Sequence, residues 1–267
     1  MDSIIGSPAL KILILSPHRD DAAFSLAIAI TSRLTARHTV TILNVFTRSR
    51  YAPYSDADFV HENDQLSYVS AMRLREDRHF VGRITEALPK GLKSNLHMLD
   101  LNLKDAPIRL RIPLEELSDT PVNPRDPAIE KIRKALTNQS EAGAMEALVL
   151  PAALGNHVDH LTVREAAMPF TSTIPAAFYE DLPYATTHPS AATDLELLRE
   201  SAEQRNEPLS PVIYRIESAV ERKRKLILGY ASQIDEHAGT LISDFATRYN
   251  GGERLWANYA WLNSKSL

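Results

Sequence analysis

The chain contains no cysteine. This excludes disulfides, thiolate metal sites, a cysteine nucleophile and iron–sulfur clusters, and any metal must be held by histidine and carboxylate. Glycine is scarce, with nine in 267 residues, and none follows the first apolar run, where a dinucleotide fingerprint or a P-loop needs backbone close to phosphate. There is no Gly-x-Ser-x-Gly turn either, which removes support for an α/β-hydrolase serine mechanism. Neither sign of charge dominates: 30 Lys and Arg face 34 Asp and Glu, a net charge of −4. No basic field therefore draws the protein to nucleic acid or to an anionic membrane surface. Long apolar runs are also missing. Residues 12–15 fall far short of the roughly 20 residues of a membrane span, and the N-terminal Met1-Asp-Ser-Ile-Ile-Gly6 lacks the basic flank of a signal sequence. A soluble, cytoplasmic protein is expected, and the absence of cysteine agrees with that compartment.

The hydrophobic share, 44%, suffices for a sizeable core, and one domain over residues 1–267 is expected. Lys11-Ile-Leu-Ile-Leu-Ser16 reads as a strand buried on both faces of a parallel sheet. From residue 21 to about 37 an Ala- and Leu-rich stretch reads as a buried helix that begins just after Asp20-Asp21. A second strand is expected over 40–46, and a long helix runs through Met72 to Ile84. A third strand over 96–101, a helix over 128–136 and a fourth strand over 147–150, ended by Pro151, follow. Further on come a helix over 159–167, a fifth strand over 174–179 and a helix over 218–230, the part from about 216 being mainly helical. This alternation predicts an α/β fold: a Rossmann-like, mostly parallel sheet with right-handed crossovers and helices on both faces. The basic run Arg222-Lys-Arg-Lys225 reads as a solvated helix face. The connections 47–64 and 102–126 are longer than usual and read as site walls or a contact between subunits of a homo-oligomer.

Where glycine chemistry would be expected, the first strand instead runs into Pro17-His18-Arg19-Asp20-Asp21, at the turn that opens a helix. An Asp there can serve merely as a helix cap. A second cluster, Asn156-His157-Val-Asp159-His160, follows the fourth strand in the same way. In a doubly wound sheet of order 3-2-1-4-5 the first and fourth strands are neighbours, and the crevice beyond their carboxyl ends is the usual ligand site. His18 and Asp21, like His157 and His160, are spaced to share a face at a turn or first helical turn. Three of these four side chains suffice for a metal, and two histidines with one carboxylate match catalytic zinc with an open position. Asp20 could then serve as general base, and His157 could stabilise an oxyanion or protonate a leaving amine. Asp159 could orient His157 through its other ring nitrogen.

At these residues the chain resembles the LmbE-like, or PIG-L, family of zinc-dependent N-deacetylases, whose motifs are Pro-His-Pro-Asp-Asp-Glu after the first strand and His-x-Asp-His after a later one. Similarity extends to Phe46-Thr-Arg-Ser-Arg-Tyr-Ala-Pro53, Arg73-Leu-Arg-Glu-Asp-Arg78, Tyr179-Glu-Asp-Leu-Pro-Tyr184 and Gly252-Glu-Arg-Leu-Trp256. The resemblance implies His18, Asp21 and His160 as metal ligands. It also implies Asp20 as general base, and His157, with Asp159 as its partner, assisting the intermediate or leaving group. The substrate it implies is a small-molecule amino-sugar conjugate from which an acetyl group is removed. Arg19 and Ala22 depart from the motif, standing where the family has Pro and Glu. Arg48, Arg50, Tyr51, Tyr184, Glu180 and Asp181 are expected at the pocket rim. Arg73 is expected either there or in an ion pair with Glu76 or Asp77 that braces its helix. Two other readings use the same residues: a non-haem enzyme in which Fe2+ replaces Zn2+ on the two-histidine, one-carboxylate set, and a non-catalytic sugar-binding or regulatory protein that retains the metal site.

Overall fold

The computed structural model describes residues 9–264 and Leu267. The Met1-to-Gly6 segment, read above for its missing basic flank, lies outside the described residues. Strand β1 (Lys11–Ser16) has four consecutive side chains, Ile12 to Leu15, fully buried. Alternate side chains of a strand point to opposite faces: Ile12 and Ile14 enter one core, Leu13 and Leu15 another. Apolar layers thus cover both sides, as the unbroken apolar run requires. Helix α1 (Asp21–Ala29) continues through a π turn at Ile30–Leu34 as far as Arg37. Strand β2 (Thr39–Asn44), helix α2 (Glu62–Ala87), strand β3 (Leu96–Asp100), helix α3 (Pro127–Glu141), strand β4 (Ala147–Pro151), helix α4 (Val158–Thr171) and strand β5 (Ala176–Tyr179) follow. The five strands pair in parallel in the order β3-β2-β1-β4-β5.

Beyond β5 come helix α5 (Ala191–Gln204), strand β6 (Ser210–Arg215), helices α6 (Ala219–Ile227) and α7 (Glu236–Asp244), and strand β7 (Gly252–Ala257). β7 pairs antiparallel with β5, Phe178 opposite Trp256, and β6 antiparallel with β7. The sheet therefore has seven strands, two more than the pattern indicated. Phe80 and Ile84 of α2, Ile227 of α6 and Ile242 of α7 pack on one face. Ile132 and Leu136 of α3, Val163 of α4 and Leu198 of α5 pack on the other.

β7 escapes sequence patterning because it buries a charge. Glu253 is 4% exposed, its carboxylate meets Lys223 Nζ at 2.7 Å, and it accepts the Ala29 N–H at 2.9 Å, where α1 gives way to the π turn. The basic run 222–225 is corrected accordingly: Arg222 and Lys225 are exposed, but Lys223 points inward and is buried. Among the described residues no helix is long and apolar enough to cross a membrane.

Candidate active site

Two turns at the carboxyl ends of neighbouring strands carry the chemistry. After β1, Ser16 Oγ accepts the N–H of Ala22 at 3.0 Å and Asp21 Oδ2 accepts the N–H of His18 at 2.7 Å, which closes residues 17–20 into a tight loop before α1. After β4, Ala153, Gly155 and Asn156 all adopt positive φ. Gly155 has no substitute there, since its φ is +80° and a Cβ would fall 3.0 Å from Tyr184 Cβ. Asp194 of α5 anchors this loop, accepting from the Gly155 N–H and the Asn156 side chain, each at 2.9 Å. His157 then caps α4, its Nδ1 accepting the Asp159 N–H at 3.1 Å. That bond places the proton of a neutral His157 ring on Nε2.

Because β1 and β4 pair directly, the two turns meet. Asp21 Oδ2 lies 3.2 Å from His18 Nδ1 and 3.3 Å from His160 Nε2. Asp181 takes the other nitrogen of His160 at 2.6 Å while accepting the Leu154 N–H at 3.1 Å. His18 Nε2 meets Asp159 Oδ2 at 3.0 Å, and Asp159 Oδ1 is paired with Arg109 at 2.8 Å. Arg109 in turn sits 4.3 Å over the Phe46 ring. Asp20 accepts from Arg73 Nη2 at 2.8 Å. A cavity of about 300 Å³ opens over this group, lined among others by His18, Asp20, Asp21, His157, Tyr51 and Tyr184.

The cluster calls for positive charge. Burial alone would depress His18 and His160, but the Asp159 and Asp21 carboxylates outweigh it at His18, raising its pKa to about 9. Asp21 and Asp181 do the same at His160, raising its pKa to about 10. His157 goes the other way, pushed down to about 3 by burial and by the charge on His18 and His160. Asp21 and Asp159, despite burial, are held well below the usual carboxylate range by these imidazoles, Arg109 adding to the effect at Asp159.

Among the described residues, two sets of three bring ligand atoms within 4.8 Å of one another: His18, Asp21 and His160, and His18, His157 and Asp159. The first set is the better fit for a divalent ion. His160 Nε2 is buried and makes no well-formed hydrogen bond, although Asp21 Oδ2 lies 3.3 Å away, a state that costs free energy and that a divalent ion bound in place of the ring proton would relieve. In the second set the Asp159 carboxylate is already engaged by the Arg109 guanidinium and by the Ala106 N–H at 2.9 Å.

The cavity gathers most of the residues singled out in the sequence. His18, Asp20, Asp21, His157, Asp159, Tyr51, Arg73 and Tyr184 line it, and His160 lies fully buried beneath. Five expectations are corrected. Glu180 is turned away, held by Arg254, by Trp256 Nε1 at 3.0 Å and by the Tyr249 hydroxyl at 2.7 Å, because successive residues at a strand end alternate in direction. Asp181 is 1% exposed and serves His160, so it does not belong to the rim. Arg48 is exposed: its backbone bridges Lys104, and its neighbour Ser49 faces the cavity instead. Arg50 pairs with Glu62 and lines an adjoining apolar groove formed with Pro53, Ile108 and Leu114. Finally, the Asp159 carboxylate bonds His18, and the contact between Asp159 and His157 is made by the backbone. Of the two alternatives for Arg73 the cavity is the one observed: Glu76 bonds Ser232, and Asp77 bonds Arg19.

Residues not singled out in the sequence also enter the site. Asp105, Leu114 and Leu117 come from the long connection 102–126, read above as a site wall, and Arg109 of the same segment reaches Asp159. The length of that segment was the only signal, since its pairings span some 50 residues of chain.

No protein-family model matches the chain. Among curated proteins it is similar to a 2'-N-acetylparomamine deacetylase of Streptomyces fradiae, 29% identical over 261 residues, covering 92% of this chain and 81% of that one. Among solved structures, the zinc-inhibited form of a teicoplanin deacetylase aligns with a TM-score of 0.64 over 92% of this chain and 97% of the other, at 19% identity. An N,N'-diacetylchitobiose deacetylase of Pyrococcus horikoshii, complexed with its inhibitor, aligns with a TM-score of 0.57 over 93% and 84% of the two chains, at 16% identity. At such identities the solved structures establish a common fold, and the Streptomyces enzyme carries the relation in sequence. In sequence along most of its length the chain is thus similar to a deacetylase of an N-acetylated sugar conjugate, and it shares its fold with solved deacetylases.

Proposed function

We propose that the protein is a metal-dependent N-deacetylase that hydrolyses the acetamide of an N-acetylglucosamine-type sugar or conjugate. The observation that carries this reading is the convergence of His18, Asp21 and His160 on one point, with Asp20 beside them on the same cavity wall. The substrates named for the similar enzymes, 2'-N-acetylparomamine and N,N'-diacetylchitobiose, both bear N-acetyl groups by name.

His18, Asp21 and His160 would hold the ion, which when bound supplies Lewis acidity toward an amide carbonyl and eases the ionisation of water. Asp20 is the base that takes the proton of the attacking water. Arg73 binds its Oδ1, which leaves Oδ2 as the accepting atom. His157, with Nδ1 committed to the Asp159 N–H, offers Nε2–H to the oxygen of the tetrahedral intermediate or to the departing nitrogen. Asp159 and Asp181 fix the rings of His18 and His160, as carboxylates behind metal-binding histidines do. Tyr51 and Tyr184 flank the space left for the sugar.

The test is elemental analysis of protein purified without added metal, combined with acetate release from a panel of N-acetylglucosamine conjugates. About one zinc or iron per chain, with stoichiometric acetate and amine, is the outcome expected from a single three-ligand site. Metal without acetate release would overturn the substrate class, and absence of metal after reconstitution would overturn the centre itself.

A further inference from the structure

The catalytic turn contains one buried ion that the proposed chemistry leaves without a task. Arg19 lies between His18 and Asp20 in sequence and is 5% exposed, yet it is absent from the cavity wall. Its guanidinium grips Asp100 through two bonds, Nη1 at 3.0 Å and Nη2 at 2.7 Å, and Asp77 through Nη1 at 2.9 Å. Asn44 Nδ2 joins both carboxylates, at 2.9 Å to Asp77 and 3.3 Å to Asp100, and the Tyr230 hydroxyl donates to Asp77 at 2.8 Å. The network thus ties the turn to the ends of β2 and β3 and to the middle of α2.

We propose that Arg19 is a positioning residue, which together with Asp77 and Asp100 orients the Asp20 carboxylate for proton abstraction. This rests on the reading of Asp20 as the base. The geometry behind it is a double clasp. Arg73 and Asp77 are four residues apart on α2 and so share one face. Arg73 holds Asp20 and Asp77 holds Arg19, so adjacent residues of the turn are gripped by adjacent rungs of one helix with opposite polarity. A turn displaced by one residue would set either Asp20 against Asp77 or Arg19 against Arg73, depending on its direction, like charge against like in a buried place. The planar fork on Asp100 further fixes the direction of the Arg19 side chain. Stability alone does not call for such a set, since well-packed apolar residues generally match or exceed a buried ion pair. In the resembling family proline occupies this position and would stiffen the turn covalently. Here the same constraint is imposed by ion pairs.

The test compares Arg19→Met, Arg19→Lys and Asp100→Asn with the wild type in kcat and KM for an N-acetyl amino sugar, in metal content, and in amide hydrogen exchange of the peptide spanning 17–24. For Arg19→Met the expected result is a kcat lower by about 10–100-fold, the scale of a misplacement near 1 Å. KM should stay within about threefold, metal should be retained, and exchange should accelerate in 17–24. Arg19→Lys, which keeps the charge but lacks the planar fork on Asp100, should recover part of kcat. Asp100→Asn alters the partly buried end of the network and keeps the fold testable should Arg19→Met fail to fold; it too should lower kcat and leave KM in place. Wild-type kcat with wild-type exchange in the folded variants would overturn the proposal, as would a rise in KM alone. Were the wild type to release no acetate from any conjugate, the proposed function would fail, and the exchange of 17–24 in the variants would still decide whether Arg19 holds the turn.

Discussion

Asp181→Asn is expected to weaken metal binding without touching any ligand. Asp181 is buried behind His160, accepting from its Nδ1 at 2.6 Å and from the Leu154 N–H at 3.1 Å. An asparagine in one orientation keeps a neutral, weaker bond to Nδ1 but turns its NH2 against the Leu154 N–H. In the other orientation it presents NH2 to Nδ1 and drives the ring proton to Nε2, the atom His160 would offer the metal. Either way one partner is lost. Loss of a carboxylate behind a metal-binding histidine typically costs 10–100-fold in affinity, about 1.4–2.7 kcal/mol. An orphaned buried N–H costs about 1–3 kcal/mol of stability, which for a chain of this size lowers Tm by about 2–12 °C. Competition with a chelator of known affinity reads the first effect, and thermal unfolding of the metal-free protein reads the second. A Kd within twofold of wild type, with only Tm lowered, would refute the reasoning, because Asp181 would then brace the loop and leave His160 unaffected.

Other outcomes follow from the same geometry. Asp20→Asn should keep its metal and lose about 10²–10⁴ in kcat, the usual worth of a general base, whereas His160→Ala should lose the metal; the reverse pattern in elemental analysis and turnover would overturn both assignments. Lys223→Met leaves the Glu253 carboxylate buried without its counter-charge, which should cost about 3–5 kcal/mol, and the double variant Lys223→Met/Glu253→Leu should restore part of it in urea unfolding, short of what the Ala29 N–H loses. Asp77 has its pKa raised to about 7, chiefly by burial and despite Arg19 and Tyr230. A carboxyl raised in the folded state binds more protons folded than unfolded, so its contribution is full below about pH 4 and is lost as pH rises toward 7. Relative to Asp77→Asn, the wild type should therefore lose stability between those limits, and a pH-independent difference in unfolding free energy would contradict this.

How far the sequence reached is clearest at the two turns. The meeting of the His18–Asp21 and His157–His160 clusters was legible because each directly follows an apolar run, and a parallel sheet of order 3-2-1-4-5 leaves the ends of its first and fourth strands side by side. β1, β4 and β5 were legible as apolar runs buried on both faces, and β2 and β3, whose burial alternates, as short strands in the same strand–helix alternation. β7 was not, because Glu253 and Arg254 look solvated until Lys223 and Glu180 are placed beside them.

Local order along the chain determined which residues could do chemistry: in a cysteine-free protein a metal must be held by histidine and carboxylate, and here these gather after two strand ends. Tertiary structure decided which carboxylate serves which ring. Asp159 went to His18 and Arg109, Asp181 to His160, and Glu180, one residue before it, to the opposite face with Arg254. Pairing across a fold depends on the direction each side chain takes at a strand end and on the partner that arrives from some distant segment. Residue type and spacing along the chain carry neither, and for that reason the two clusters could be read from the sequence while the carboxylates that pair with their rings could not.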